Sequence, residues 1–443
     1  MTYSLELKRM FSIRLLILCF ILLLLSLYFV QIGIDDYERI IANKERFQDI
    51  ERLKVNQYFT YAQYGAYGFR LMFIPSPLSI FFNNSSVISE LTSNVDAGEK
   101  LNIYNSFKGR ALFAEKSGGF KDFSGVVLLL GSLLVLYFGY ELMIYRDYLR
   151  FMAGVVSPEK LFAAMTVSRI SVFILFFLFT AGMSVLLMRL NDIALSSFEW
   201  LHFLAYLGVL ILVLIIFFFL GTIAGTFHSR FTGLVMLGAS WFVLVFLVPG
   251  IVGAVTSRKA DNIVSNYHLE LEKLQAMMGF EKRAIRQEGY LDESHKKSEQ
   301  ELVESYWRYE FKNIQALEKN MEEKMYENIR HFQTLSFHFP TTFYLSTAHE
   351  VNSKGYENFI RFFKYIQQLK KRFVRFYLDK RYYSNASESN AGEVESFIHA
   401  DENLFYAESG FPRSFFTGVI VTVLYIVGLA LLSYFRFRRS LRL

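Results

Sequence analysis

The sequence predicts an all-α, polytopic membrane protein with six transmembrane helices and a helical extracytoplasmic stalk. The 443-residue chain is 53% apolar and only 20% charged, whereas soluble domains are about 45–50% apolar and about 25% charged. Six apolar segments are long enough to cross a hydrocarbon core, which takes about 20 helical residues. The two long polar regions between them repeat apolar residues with the spacing of amphipathic helices.

The predicted spans carry almost no charge in their middles. Glu141 is the closest ionisable residue and lies near one end of the second span, so we do not expect a proton or ion relay through the bilayer. Pro249 and Gly250 predict a kink near the end of the fifth span. The six spans are Ile13–Ile34, Ser124–Tyr145, Arg169–Leu190, Leu201–Gly225, Phe231–Val255 and Phe415–Phe435.

The first span is typical of an uncleaved signal-anchor. Lys8, Arg9 and Arg14 form a basic n-region, but the apolar stretch is too long for a signal peptide and no A-x-A site follows it. Cys19 is the only cysteine, so no disulfide can form within the chain. It also lacks the small neighbours of a lipoprotein signal.

Charge placement predicts the orientation of the chain. Short flanks on the side of both termini hold 12 basic and 4 acidic residues, whereas the long regions on the other side are nearly neutral. Because basic residues concentrate in cytoplasmic flanks, both termini are predicted to be cytoplasmic. The net charge of +6 and the pI near 9.0 therefore indicate topology and not a nucleic-acid partner.

This pattern divides the chain into five parts. Residues 1–34 are the N-terminus and first span, and residues 35–123 form a first extracytoplasmic region. Spans two to five occupy residues 124–256, with a cytoplasmic loop at 146–168. Two further parts complete the division: a large helical extracytoplasmic domain at 257–413, and the sixth span with its basic tail at 414–443.

The two extracytoplasmic regions differ in regularity. The first begins as a helix from Ile40, loses its periodicity at Gly65–Gly68, and is extended or turned at Pro75–Ser79. In the second, apolar spacing from Val303 to Phe332 predicts a helix of about 40 residues that Pro340 ends. Two further helices, over Ile263–Ile285 and Phe359–Phe376, complete an antiparallel stalk.

Two interpretations that would give the stalk a binding site are disfavoured. Lys370, Lys371, Arg372 and Arg375 could grip an anionic lipid headgroup or polymer, but the solvated face of an amphipathic helix explains them better. His331, His338 and His349 match no standard metal-ligand spacing.

The sequence contains no recognisable motif for nucleotide hydrolysis or other catalysis. It contains neither G-x-x-x-x-G-K-[ST] nor G-x-G-x-x-G after a strand, and neither G-x-S-x-G nor H-E-x-x-H. We therefore predict that it is not an enzyme and has no catalytic, cofactor-binding or metal site. An energy-driven function requires an ATPase partner.

The loop between spans two and three is where such a partner would dock. The spacing of its apolar residues predicts a short amphipathic helix, and Ser157-Pro158 suit the N-cap and first position of a second helix. The alternative is an interfacial connector whose basic residues face lipid headgroups. The candidate docking residues are Glu141, Arg146, Leu149, Arg150, Met152, Val156, Ser157, Pro158 and Lys160.

From Glu141 to Met165 the chain resembles the coupling-helix loop of ABC-2 type permeases. Val156-Ser157-Pro158 fills the turn of the family and Leu149–Met152 fills its helix, whereas Asp147-Tyr148 replaces the usual Gly-Thr pair. The 1–4–1 arrangement of spans, with large inserts after spans one and five, resembles a subgroup related to gliding-motility and nitrous-oxide-reductase maturation permeases.

The resemblance implies a permease subunit in a bacterial inner membrane. It would pair with itself or a second permease and with cytoplasmic ABC ATPase subunits that hold the ATP and Mg. Loop 146–168 would carry ATPase motion into the spans, and domain 257–413 would engage the substrate or a periplasmic or envelope protein.

Two other functions remain open on the sequence. A non-transporting scaffold or sensor would use its periplasmic coiled coil to bind an envelope partner, but no inner segment longer than about 25 residues offers an output domain. A membrane-embedded enzyme lacks an ionisable cluster in the spans.

Overall fold

The computed structural model contains six helices that are long and apolar enough to cross a membrane, which confirms the predicted spans. It describes residues 13–58, 60–82, 92–96, 122–144, 146–227, 229–260, parts of 271–282, 299–380, 403–412 and 414–442. The helices that contain the spans are α1 (Ile13–Asn56), α3 (Phe123–Ile144), α5 (Pro158–Leu190), α6 (Ser197–Gly225), α7 (Arg230–Phe242, continued by Val243–Leu247 and Val248–Ala260) and α11 (Phe415–Arg442).

Helices α3 and α6 form the centre of the bundle. Their most apolar windows are 67% and 61% buried, against 28% or less in the other four spans. Two glycines allow this contact, because a Cβ at Gly139 would overlap the Phe218 carbonyl oxygen and a Cβ at Gly221 would overlap that of Leu136. Small residues let helix backbones approach closely in a membrane.

The fifth span contains a π turn next to Pro249, where the sequence predicts a kink. Helix α7 continues from Phe242 through the π turn Val243–Leu247 into Val248–Ala260. Pro249 has no N–H, and its ring would clash with the Val245 carbonyl in a regular helix. The π turn lies about one helical turn before Pro249 in the chain. It accommodates both the missing N–H and the ring of the proline.

A three-stranded sheet, which the sequence analysis does not predict, lies beyond the spans. Strand β1 (Phe69–Ile74) pairs antiparallel with β2 (Thr92–Val95) and parallel with β3 (Leu404–Tyr406), giving the order β2-β1-β3. The strands are short, and β3 reaches β1 from the far end of the chain. Local periodicity therefore could not reveal them.

Helices pack on this sheet to form what we call the head domain, consisting of α2 (Tyr61–Tyr67), the sheet, α8 (Glu299–Ser336) and α10 (Tyr356–Leu378). The rings of Phe73 and Phe362 lie 5.2 Å apart at its core. Lys364 of α10 reaches Glu322 of α8 at 2.8 Å. The long helix and the Phe359–Phe376 helix of the predicted stalk are thus present, whereas most of Ile263–Ile285 lies outside the described residues.

The prediction that Pro340 ends the long helix is wrong. Helix α8 ends at Ser336, and Pro340 is the first residue of α9 (Pro340–Val351). Proline suits this position because its missing N–H would have no partner in the first helical turn. The Thr342 hydroxyl donates to the Ser336 carbonyl at 2.8 Å and satisfies the end of α8.

The basic residues of α10 are not all on its solvated face. Arg372 and Arg375 are exposed and Lys371 is half-buried, but Lys370 is only 8% exposed. The interpretation as a solvated face is therefore wrong for Lys370, which packs into the head domain.

Candidate functional site

The loop between α3 and α5 forms a short helix, α4 (Arg146–Ala153), followed by a turn. Leu149 is buried, and Met152 and Val156 pack against the same core as the spans. Phe151 and Val155 face the other way and are 72% and 74% exposed. Helix α4 and the turn after it, which we call the hairpin, are thus attached to the bundle by one face and present two large apolar side chains on the other.

The turn after α4 has the predicted layout but not the predicted cap. The Val156 N–H donates to the Met152 carbonyl at 2.9 Å, and Pro158 opens α5. Ser157 occupies the N-cap position, where its carbonyl accepts from the Leu161 N–H at 3.0 Å, but its hydroxyl makes no capping bond.

Two charged candidates of the loop are exposed, as Phe151 and Val155 are. Arg150 and Lys160 are exposed, and Glu141 lies close to the last turn of α3. The Arg146 side chain lies outside the described residues. The exposed residues between 150 and 160 are Arg150, Phe151, Gly154, Val155, Ser157, Glu159 and Lys160. We call Arg150, Phe151, Val155 and Lys160 among them the docking surface.

The hairpin also touches the last helix of the chain. Phe162, at the start of α5, lies 5.2 Å from Phe437 of α11 between ring centroids, and Phe437 is fully buried. The Tyr434 hydroxyl donates to Glu159 at 3.3 Å. The hairpin is therefore connected to α3 and α5 through the chain, and α4 and the start of α5 both contact α11.

Sequence reasoning missed four residues at this end of the bundle. Phe151 and Val155, the exposed apolar residues of the hairpin, were not among the candidate docking residues, and neither were Arg169 and Phe231. Arg169, counted with the basic flank, is only 2% exposed and donates to the Phe138 carbonyl of α3 at 2.7 Å. Phe231 is 76% exposed at the start of α7. The available signal for Arg169 was its place in the sequence. It is a single arginine at the start of an apolar run, and the preceding span carries an acidic residue, Glu141.

At the opposite end of the bundle, α9 connects the spans to the head domain. Nearly all of its residues are buried, and it contacts α6, α7, α8, α10 and α11. The Tyr344 hydroxyl donates to the Ser124 carbonyl at 2.9 Å and shares a second hydrogen bond with the Tyr206 hydroxyl. One tyrosine thus joins α9 to both central spans.

A second polar contact lies beside α9. Ser76, after β1, donates its hydroxyl to Glu199 at the start of α6 at 2.5 Å, and its N–H donates to the Ser353 hydroxyl at 2.8 Å. Ser353 has a φ of +63°, a left-handed conformation that is uncommon outside glycine. The head domain is therefore held to the spans through specific hydrogen bonds as well as apolar packing.

Because the carboxyl of Glu350 is buried, we expect the stability of this junction to depend on pH. Burial raises its pKa to about 7, with Glu357 adding to the rise and His349 and the Gln333 amide opposing it. Since the folded protein holds a proton that the unfolded carboxyl releases near pH 4.5, the free energy of unfolding should fall as pH rises through this window, by about 3 kcal/mol, and then level off.

Thermal unfolding in detergent between pH 5 and pH 8 tests this expectation. Glu350→Gln should remove most of the decline, while Glu408→Gln, which changes an exposed carboxyl just after β3, should keep it. A Glu350→Gln profile that matches the wild type would show that another group causes the dependence.

Comparison of the chain with family models, curated proteins and solved structures finds no match. Within the described residues, no group of three His, Cys, Asp or Glu side chains is placed to hold a metal ion. The functional assignment therefore depends on the two ends of the bundle described above.

Proposed function

We propose that this chain is the permease subunit of an ABC-2 type transporter, driven by separate cytoplasmic ATPase subunits. The observation that carries the proposal is the hairpin α4, attached to α3, α5 and α11 on one side and presenting the docking surface on the other. Two large apolar side chains between exposed cations are typical of the centre of a protein interface with a polar rim.

Charge supports a cytoplasmic position for the docking surface. Lys160, Arg230 and the C-terminal Arg436, Arg438 and Arg439 lie at the same end of the bundle as α4, in short flanks. This is the distribution that the positive-inside rule associates with the cytoplasm. We infer a multi-pass protein of a bacterial inner membrane with its head domain on the outer side.

The path from the docking surface to the head domain supports a mechanical role. ATP binding in the partner would close the ATPase dimer and displace α4, and the central pair α3 and α6 would carry the displacement to α9. There Tyr344 and the Ser76–Glu199 contact connect the spans to the head domain. In this proposal the head domain exports, or acts mechanically on, a substrate or envelope partner, and a second permease completes the complex.

The test is to identify a neighbouring gene with a G-x-x-x-x-G-K-[ST] motif and to co-purify its product, the partner ATPase of this proposal, with this chain. Phe151→Ser with Val155→Ser should reduce the retained ATPase at least about tenfold, because each removes an apolar anchor worth at least 1 kcal/mol. The matched control is Ile50→Ser with Leu53→Ser, two exposed apolar residues on the far end of α1, which should retain the ATPase.

Other outcomes would contradict the proposal. If the hairpin only rests in the lipid interface, the Phe151 and Val155 variant will bind the ATPase as the wild type does. Replacing Leu149–Val156 with a Gly/Ser linker without loss of binding or transport would favour the alternative, a scaffold or sensor that uses its head domain to bind an envelope partner.

A further inference from the structure

Arg169 is a buried cation among apolar side chains. It lies on α5 with 2% of its surface exposed. Burying a charged guanidinium costs several kcal/mol unless its donors find acceptors. Its Nη1 donates to the Phe138 carbonyl at 2.7 Å and lies 4.0 Å from a Glu141 carboxylate oxygen, so the carbonyl is the closer partner and the carboxylate balances the charge.

Phe138 and Glu141 both lie on α3, one helical turn apart. Glu141 comes three residues before the end of α3 at Ile144, and α4 follows at once. Arg169 lies 11 residues into α5, which leaves α4 through the turn at Ser157. The contact therefore joins the two helices that flank the hairpin, close to the point where both enter the bundle.

Apolar packing covers only part of α5. Only 28% of its most apolar window is buried, against 67% for α3. Apolar contacts between helices in a bilayer have little driving force, because the lipid is equally apolar. A short hydrogen bond to one particular carbonyl fixes the register of α5 against α3. Contacts between exposed leucines and lipid do not fix that register.

We propose that Arg169 is a positioning residue that locks α5 to α3, so that α3, α4 and α5 move as one body when the hairpin is displaced. The inference extends the proposed function, since it names the element that passes motion from the docking surface into the spans. Stability alone does not explain the arginine, because replacing a buried ion pair with apolar residues of similar volume is often neutral or stabilising.

The first test measures the lock without any ATPase. Spin labels at Tyr137→Cys on α3 and Val167→Cys on α5, both exposed positions, report the distance between the helices in the full-length protein with Cys19→Ser. The wild-type background should give one narrow distance distribution. Arg169→Met should broaden it, and Arg169→Lys, which can still donate to the carbonyl, should broaden it less.

Matched variants separate the lock from general damage. Arg189→Met removes an exposed arginine at the other end of α5 and should leave the distribution unchanged. Glu141→Gln keeps the carbonyl bond and should have a smaller effect than Arg169→Met. If Arg169→Met does not fold, Arg169→Lys and Glu141→Gln still decide: wild-type distributions in both would overturn the proposal.

The second test uses the complex with the ATPase. Arg169→Met should retain ATPase binding but lose the effect of the permease on ATP hydrolysis at least about fivefold, the lower end of typical coupling between sites. Binding together with wild-type stimulation and a narrow distance distribution would overturn the lock. If the wild type binds no ATPase, the proposed function fails, while the distance measurement still decides the role of Arg169.

Discussion

Replacing Gly221 with valine should prevent the spanning bundle from assembling. A Cβ at this position would overlap the Leu136 carbonyl oxygen and crowd the Tyr140 nitrogen. These are backbone atoms, so rotating a side chain cannot relieve the clash and α3 and α6 must separate. We expect a loss of about 3 kcal/mol or more, since overpacking a tight interior typically costs 1–3 kcal/mol.

The measurement is the yield and thermal midpoint of monodisperse protein in detergent. Gly208→Val on the same helix is the matched control, because a Cβ there meets nothing within 4 Å. That variant should behave like the wild type. Equal behaviour of the two variants, whether both fold or both fail, would contradict the close packing of α3 against α6.

Replacing Tyr344 with alanine should separate the head domain from the spans. The side chain is fully buried in α9, and removing a large aromatic from such a site typically costs 3–5 kcal/mol. Ser124 and Tyr206 would also lose a hydrogen-bond partner. We expect faster proteolysis of the head domain, because α9 is its central contact with α6.

Limited proteolysis with mass spectrometry checks this result. Tyr344→Phe keeps the ring and loses only the hydroxyl, so it should cost about 1–3 kcal/mol. Phe339→Ala is the control, since Phe339 precedes α9 and is 38% exposed. A wild-type cleavage pattern for Tyr344→Ala would mean that the remaining contacts hold the head domain without α9.

Two structures connect the spans to the head domain, and they differ in character. Helix α1 runs without interruption from the membrane to the sheet, where the buried Glu51 accepts from the Arg70 N–H at 2.9 Å and from its guanidinium at 2.6 Å. Helix α9 is a separate element that packs between the spans and the head domain. The spans are therefore connected to the head domain both by a continuous helix and by a separate buried helix.

Several elements could be predicted from residues alone. The spans follow from hydropathy, and the helix of Phe359–Phe376 follows from its strong 3–4 spacing. The face shared by Leu149 and Met152 also follows from spacing, which left Val155 and Val156 as alternatives for its third position. The structure packs Val156 against the core and leaves Val155 exposed. In each case the deciding interaction is between a residue and its own helix or the surrounding solvent.

Other features could not be predicted because their partners are distant in sequence. Strand β3 is only three residues long and exists because β1 offers an edge. Pro340 is compatible with either the end or the start of a helix, and only the packing of α9 decides between them. The burial of Arg169 depends on the Phe138 carbonyl, which no pattern of side chains reveals.

The sequence by itself determined that this chain crosses a membrane six times and has amphipathic helices outside it, since transfer of apolar side chains from water depends mainly on composition and period. Tertiary structure alone decided the central pairing of α3 with α6, the buried α9, the small sheet and the contact of Arg169 with α3. The physical reason is that these features depend on backbone approach and on single hydrogen bonds between distant segments, which hydropathy does not encode.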